Sequence, residues 1–282
     1  MKKIFILLAM ICVEHIATAQ DYVPTGQDMN KFMSTKTLVV LENNPMCDFN
    51  LNIKDIMKKE WKITPFDFIT NQEFEKKKMD PHYSFLMMTL VNFTGDKTEA
   101  TYRFLHLLMG GNYRTLKEMP DICAIPLAYE GVDQENYIYK LSVLVRFMQD
   151  HVKRLQTNPK LLTTNIFKYY NENMGDIKTK TLYLVADEMS KEVNTEARIK
   201  RIYPYKFKIV TREEIEDAIN NRDDDVVFLH KVGPEKTRFR ARCYKIIMSA
   251  ADAKCYYFDY HMVNDNHPDS FLESDFKKLA KK

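Results

Sequence analysis

Glycine is scarce in this chain, 7 of 282 residues, which leaves little material for loops that cradle phosphates. No Gly-x-Gly-x-x-Gly, Walker A, His-Glu-x-x-His, Gly-x-Ser-x-Gly or calcium-loop pattern occurs, so no nucleotide, zinc-protease or hydrolase signature is in place. The 5 cysteines form no Cys-x-x-Cys, which removes the redox and zinc-ribbon patterns. Neither charge sign dominates: 42 basic residues stand against 39 acidic ones, a net charge of +3, and a basic nucleic-acid face is not expected. No apolar run reaches the roughly 20 residues that a membrane span needs. What is present is 45% apolar and 29% charged residues, the composition of a packed globular chain rather than a disordered or fibrous one.

The first residues carry an export pattern. Met1-Lys2-Lys3 is a positive leader, Ile4 to Val13 is an uncharged apolar run, and Ala17-Thr18-Ala19 has the small-x-small form of a cleavage site. The expected product starts at Gln20, is soluble, and is periplasmic or extracellular. Cys12 follows Ile11 instead of a small residue, so no lipid anchor is expected. These residues resemble the leaders of exported proteins of Bacteroidota. Cys47, Cys123, Cys243 and Cys255 remain after cleavage, widely spaced. A hairpin about Ala250-Ala251-Asp252 would set Cys255 near Ile247 and not Cys243, and buried free thiols are expected.

The main organising signal is an internal duplication. Lys36-Thr37-Leu38-Val39-Val40-Leu41 is similar to Lys180-Thr181-Leu182-Tyr183-Leu184-Val185, and Phe66 to Met88 aligns without gaps on Phe207 to Leu229. Identities fall at Phe66/Phe207, Thr70/Thr211, Glu73/Glu214 and Glu75/Glu216. Each copy reads β-α-β-α-β-β-β. In copy one the elements are Thr37 to Glu42, Asn50 to Trp61, Phe66 to Thr70, Asn71 to Lys78, Ser84 to Phe93, Thr101 to Met109 and Asp121 to Ala128. In copy two they are Thr181 to Ala186, Val193 to Ile202, Tyr205 to Thr211, Arg212 to Asn221, Val226 to Val232, Arg240 to Met248 and Lys254 to His261. Phe85 to Met88 and Val226 to Leu229 are continuous apolar runs suited to central strands. Thr70-x-x-Glu73 and Thr211-x-x-Glu214 are capping boxes that start the second helix of each copy.

Between the copies, Leu141, Leu144, Val145, Met148, Val152 and Leu155 recur at helical spacing, with Lys140, Arg146, Asp150, Lys153 and Arg154 assigned to a polar side. Asn158-Pro159 begins a second helix carrying Leu162, Ile166, Tyr169 and Tyr170, with Gly175 placed to close it. The expected fold is thus α/β (α+β): a tandem β-α-β-α-β-β-β unit with mixed sheets, joined by a helical pair. The expected divisions are a signal peptide over 1–19, an extended segment over 20–34, repeat one over 35–130, the helical pair over 131–176, repeat two over 177–268 and a C-terminal helix over 269–282.

The order of elements, a Thr before the second helix, and small-residue turns at Gly110-Gly111 and Ala250-Ala251 resemble an envelope module. That module is the anticodon-binding-like α/β domain of the TolB amino terminus, the curli-secretion lipoproteins and the penicillin-binding-protein activators. The resemblance covers about 90 residues of each copy. It implies a periplasmic protein-interaction module without catalysis or cofactor.

The densest polar stretch is Asp259 to Asp269. Asp259 and His261 share a strand face, a geometry open to a metal, but the spacing around them matches no known ligand set. Arg238, Arg240 and Arg242 alternate, so one strand face would carry all three toward an anionic partner, or else protect a sheet edge. Cys47 follows Pro45 in the first βα loop with no histidine placed beside it. No catalytic, cofactor-binding or metal site is assigned. Three functions remain: an exported, non-catalytic envelope protein with a protein partner; two α/β lobes that close on a small ligand about the helical pair; and a hydrolase using Asp259, His261 and Asp265. A deep cleft between the copies would favour the second, and a filled seam would count against it.

Overall fold

A computed structural model describes residues 16–18, 23–163, 166–235 and 240–281. The expected leader lies outside the described residues except for the backbone of β1 (Ile16–Thr18), which runs parallel to Leu90–Asn92. The segment expected to be extended contains a helix, α1 (Gly26–Met33). Its cause is local: Thr25 and Asp28 form a capping box, and Met29 and Phe32 are buried.

Repeat one follows as β2 (Lys36–Val40), α2 (Asp48–Glu60), β3 (Phe66–Ile69), α3 (Asn71–Lys77), β4 (Tyr83–Asn92), β5 (Thr101–Met109) and β6 (Asp121–Tyr129). Its sheet runs β3-β2-β4-β5-β6, with β2, β3 and β4 parallel and the last two strands antiparallel; β1 lies beside the far half of β4. The chain then forms α4 (Leu141–Thr157) and α5 (Ile166–Glu172). Repeat two is β7 (Thr181–Leu184), α6 (Glu196–Lys200), β8 (Phe207–Ile209), α7 (Arg212–Asn221), β9 (Val226–Val232), β10 (Arg242–Ser249) and β11 (Cys255–Met262), closed by α8 (Glu273–Lys281). Its sheet repeats the same order, β8-β7-β9-β10-β11, with the same strand directions.

The duplication extends to individual contacts. In repeat one, the Thr37 hydroxyl meets Ser84 Oγ at 2.9 Å; in repeat two, Thr181 Oγ1 donates to Asp225 Oδ2 at 2.8 Å, tying the first strand to the third in the same way. The residue that opens the second helix reaches back to the loop after the first strand in both copies. Asn71 Nδ2 donates to Asn43 Oδ1 at 3.1 Å, and Arg212 Nη2 donates to Asp187 Oδ2 at 3.0 Å. Both capping boxes form, with Glu73 N to Thr70 Oγ1 at 3.2 Å and Glu214 N to Thr211 Oγ1 at 3.3 Å.

The helical region departs from expectation in two ways. The predicted polar side of α4 is a solvent face only in part: Lys153 is exposed and Asp150 and Arg154 are half-buried, whereas Lys140 and Arg146 are buried, as are Gln149 and His151. The helix is wedged between the repeats: Arg146 donates to Ile219 O, Ala250 O and Ala251 O of repeat two, while Gln149 bonds Glu60 O and Lys62 N of repeat one. The second helix is broken. A 3-10 turn at Pro159–Leu161 precedes α5, and Gly175 lies inside a 3-10 segment, Asn173–Thr179, instead of capping an α-helix. Tightened 3-10 turns are a common way for a short helix to end.

The repeats share one core. Phe104, Leu144, Phe228 and Ile246 belong to the same buried cluster, so the seam between the sheets is filled. Polar pins hold it: His230 Nε2 donates to Pro126 O at 2.8 Å, and Tyr102 Oη bonds both the N–H and the carbonyl of Arg242. Pro126 sits in β6, an edge strand, where a missing donor is tolerated. The other face of the second sheet buries a separate cluster with Phe271 and Phe276 from the C-terminal segment.

Candidate functional site

Beside the seam, β6, α4, α5 and β11, with Val23, Pro24 and Leu162, line a half-open cavity of about 220 Å³. The walls are mainly apolar, with Phe147 and Leu155 from α4, Ile166 from α5 and Phe258 from β11. Phe167 stacks on Phe258 with ring centroids 4.1 Å apart and is 42% exposed, so it stands at the mouth.

One edge of the cavity is polar. His151 Nδ1 and Tyr170 Oη are 2.5 Å apart. Burial, with help from the Arg154 charge, pulls His151 down to about 4, so at neutral pH the ring is uncharged. Burial also pushes the Tyr170 phenol well up. The contact therefore joins a neutral imidazole to a phenol that keeps its proton. Asp121 Oδ2 lies 2.7 Å from His106 Nδ1, while Asp121 Oδ1 is buried with no hydrogen-bond partner. Cys123 shares this wall, and burial next to Asp121 raises its thiol well above the ordinary range. A protonated thiol and a protonated phenol are poor nucleophiles, so the arrangement suits binding better than covalent catalysis.

The residues singled out from sequence are placed elsewhere. Asp259 and His261 do share a face of β11, but Asp259 accepts from Tyr257 Oη at 3.0 Å and Lys278 Nζ at 2.5 Å, and His261 Nε2 donates to Pro268 O at 2.9 Å. Burial would raise the Asp259 carboxyl, yet Lys278 and Lys245 outweigh it and hold it below the usual range. Among the described residues no three His, Cys, Asp or Glu side chains gather as a metal-sized group. Asp265 lies exposed in the turn between Asn264 and His267 and joins neither. Through Tyr257 Oη, which contacts both Asp259 and Asp275, Asp259 borders a set of buried ion pairs on the outer sheet face. Lys231 and Lys245 stand opposite each other on β9 and β10, paired with Asp269 at 2.8 Å and Asp275 at 2.7 Å from the C-terminal segment.

The arginine stripe does not form as expected. Arg238 lies outside the described residues, and Arg240 precedes β10 and is exposed. Arg242 is not free for an anion: it grips Asp96 of repeat one through Nε at 2.6 Å and Nη2 at 2.9 Å, sandwiched between Phe93 and Tyr260. All four cysteines in the described region are free; Cys123, Cys243 and Cys255 are buried and Cys47 is half-buried. Cys255 faces Met248, one place from the expected Ile247, because the β10 to β11 register shifts there.

Sequence reasoning missed the cavity because its polar members carry no shared spacing. His151 and Tyr170 sit on different helices, and Asp121 on a strand. The chain matches no family model, no curated protein and no solved structure.

Proposed function

We propose that this is an exported, non-catalytic envelope protein that works as a protein-interaction or scaffolding module. The observation that carries this reading is a duplicated fold with no duplicated reactive site. Both copies keep the Thr and helix-cap contacts that build the sheet, whereas the buried ionisable groups differ between copies and are consumed in structural pairs. The leader pattern of Met1 to Ala19 supports export, and the element order of each repeat supports kinship with envelope interaction domains.

The carboxyl ends of the parallel strands in repeat one offer a contact face. α/β sheets place their binding loops at this end. Met46 is 71% exposed and Leu51 is 47% exposed there, at the start of α2. The filled seam counts against two lobes closing on a ligand, and the engagement of Asp259 and His261 counts against the hydrolase reading.

Crosslinking in the native envelope, followed by mass spectrometry, tests the proposal. The expected result is reproducible capture of the same envelope proteins by the native chain and loss of that capture in a Met46→Glu/Leu51→Glu variant with an unchanged circular dichroism spectrum. Capture that is indifferent to the variant would reject this face, and no specific capture would reject the interaction reading.

A further inference from the structure

We propose that the edge of β4 held by β1 is a strand-accepting slot, which in the exported chain takes a short extended segment of a partner protein, parallel to Leu90–Asn92. This names the mode of contact for the interaction reading and rests on it, because the slot opens only when the leader is removed.

The slot follows from unequal strand lengths. β5 covers one edge of β4 from Ser84 to Asn92. On the other edge β2 pairs only with Tyr83 to Leu86, since the chain leaves the sheet after Val40 and runs into the loop before α2. Farther along that edge the only strand, among the described residues, is β1, whose Ile16–Thr18 backbone pairs with Leu90–Asn92. Cleavage after Ala19 takes β1 away and leaves unpaired backbone donors and acceptors on β4, a template for strand addition.

Repeat two closes the matching place with a segment that is never removed. Carrying the alignment of Phe66–Met88 on Phe207–Leu229 forward sets Leu90 and Asn92 against Lys231 and Gly233. There Asp269 Oδ2 accepts from Lys231 Nζ and from the Glu235 N–H, both at 2.8 Å, and Asp269 packs so near Gly233 that a Cβ would collide with it. Phe271 then bonds the backbone of Glu188 and Ser190 in the loop after β7. The C-terminal segment thus seals repeat two, whereas in repeat one the seal belongs to the leader.

Geometry limits the occupant. Only Met87, Thr89 and the residue between them separate the stretch paired with β2 from the stretch paired with β1, so a long strand already built into a sheet would run into β2. A few residues at a chain end or loop tip fit. Every described strand of a second copy is built into its own sheet, which leaves another envelope protein as the source. The Ile-Ala-Thr now seated there is uncharged, and strand formation favours its β-branched members. Met46, exposed in the loop that leaves β2 at this end, makes the slot continuous with the contact face described above.

Hydrogen exchange read by mass spectrometry tests the proposal on the precursor, Met1–Lys282, and on the product that begins at Gln20, with a synthetic peptide of the sequence Glu14–Ala19 as probe. The fragment covering Leu90–Asn92 is expected to exchange at least about tenfold faster in the product than in the precursor, the loss of one strand hydrogen bond. Millimolar peptide should restore that protection in the product and leave the precursor unchanged. A peptide carrying Ala17→Pro and Thr18→Pro should bind at least about tenfold more weakly, because neighbouring N–H groups point to opposite edges and one of the two prolines must delete a bond to β4. Equal protection of both forms without peptide, no protection by the peptide, or equal protection by the proline peptide would each overturn the slot. In the envelope crosslinking, excess peptide should displace the captured protein. Capture that persists beside bound peptide would overturn the slot as the route of contact while the interaction reading stands; a bound peptide with no protein captured would overturn the interaction reading and the partner named here with it.

Discussion

Two imidazoles in this fold are held neutral by their surroundings. Burial, with the Lys140 charge adding to it, brings His230 down to about 3, and His151 sits at about 4. The unfolded chain takes up protons near 6.5, so below that pH the unfolded state binds more protons than the folded one. The stability contributed by each ring is therefore complete above about 6.5 and drains as pH falls toward 4 for His151 and 3 for His230. Urea midpoints should hold level from pH 8 to 7 and then drop between 6 and 5, by up to about 1.4 kcal/mol per pH unit for each histidine. His230→Gln keeps a donor for Pro126 O and should flatten part of that slope; an unchanged slope would reject the assignment. The buried lysines behave differently. Lys245 and Asp275 are 2% and 1% exposed at the side chain, and Tyr257 Oη also donates to Asp275 at 3.2 Å. Asp275→Ala strands an ammonium in the core and should cost about 3–5 kcal/mol in urea unfolding. Lys245→Met combined with Asp275→Leu removes both charges and should recover most of that loss.

At the scale of elements, α4 is the joint of the molecule. Arg146 ties α4 to Ala250 O and Ala251 O in the turn after β10, and it shares Ile219 O at the end of α7 with the Arg222 N–H. Arg146→Met should cost about 2–4 kcal/mol in urea unfolding, because the buried Ala250 carbonyl and the half-buried Ala251 carbonyl lose the guanidinium donor. Arg146→Lys should restore less than half, since a single ammonium cannot span a planar fork of acceptors. The strands and helices of the repeats were legible from sequence because their causes are local. Thr70 and Thr211 announce their helices, and the apolar runs at Phe85 and Val226 announce central strands. The buried face of α4 was not legible, because charged residues at helical spacing normally mean solvent. Here Lys140 and Arg146 owe their burial to Glu188 and to backbone carbonyls far along the chain. The Val193 to Ile202 helix shrank to α6, whose Thr195 makes no side-chain cap.

For the whole molecule, the shared core predicts one cooperative unfolding transition despite two sheets. Far-ultraviolet circular dichroism and tyrosine fluorescence should report the same urea midpoint, and two separated transitions would contradict a filled seam. Arg242→Lys gives a local test of that seam. It loses the paired contact with Asp96 and the stack on Phe93, and should lower stability by about 1–3 kcal/mol without splitting the transition. The seam escaped sequence reading because its contacts join residues more than a hundred positions apart, as His230 to Pro126 and Tyr102 to Arg242 do. The cavity escaped for the same reason, since Phe258 closes what Ile122 and Phe147 begin.

The wedge position of α4 also sets a timetable for the newborn chain. When a ribosome has finished Thr157, repeat one and α4 exist, yet the flank of α4 that meets Ile219, Ala250 and Ala251 has nothing to lie against. At about 5–20 residues per second, roughly 5–20 s pass before Phe258 appears. Throughout that interval the half-made molecule shows an unsealed apolar flank, and holding it unfolded until the last strand has emerged serves this chain better than folding early.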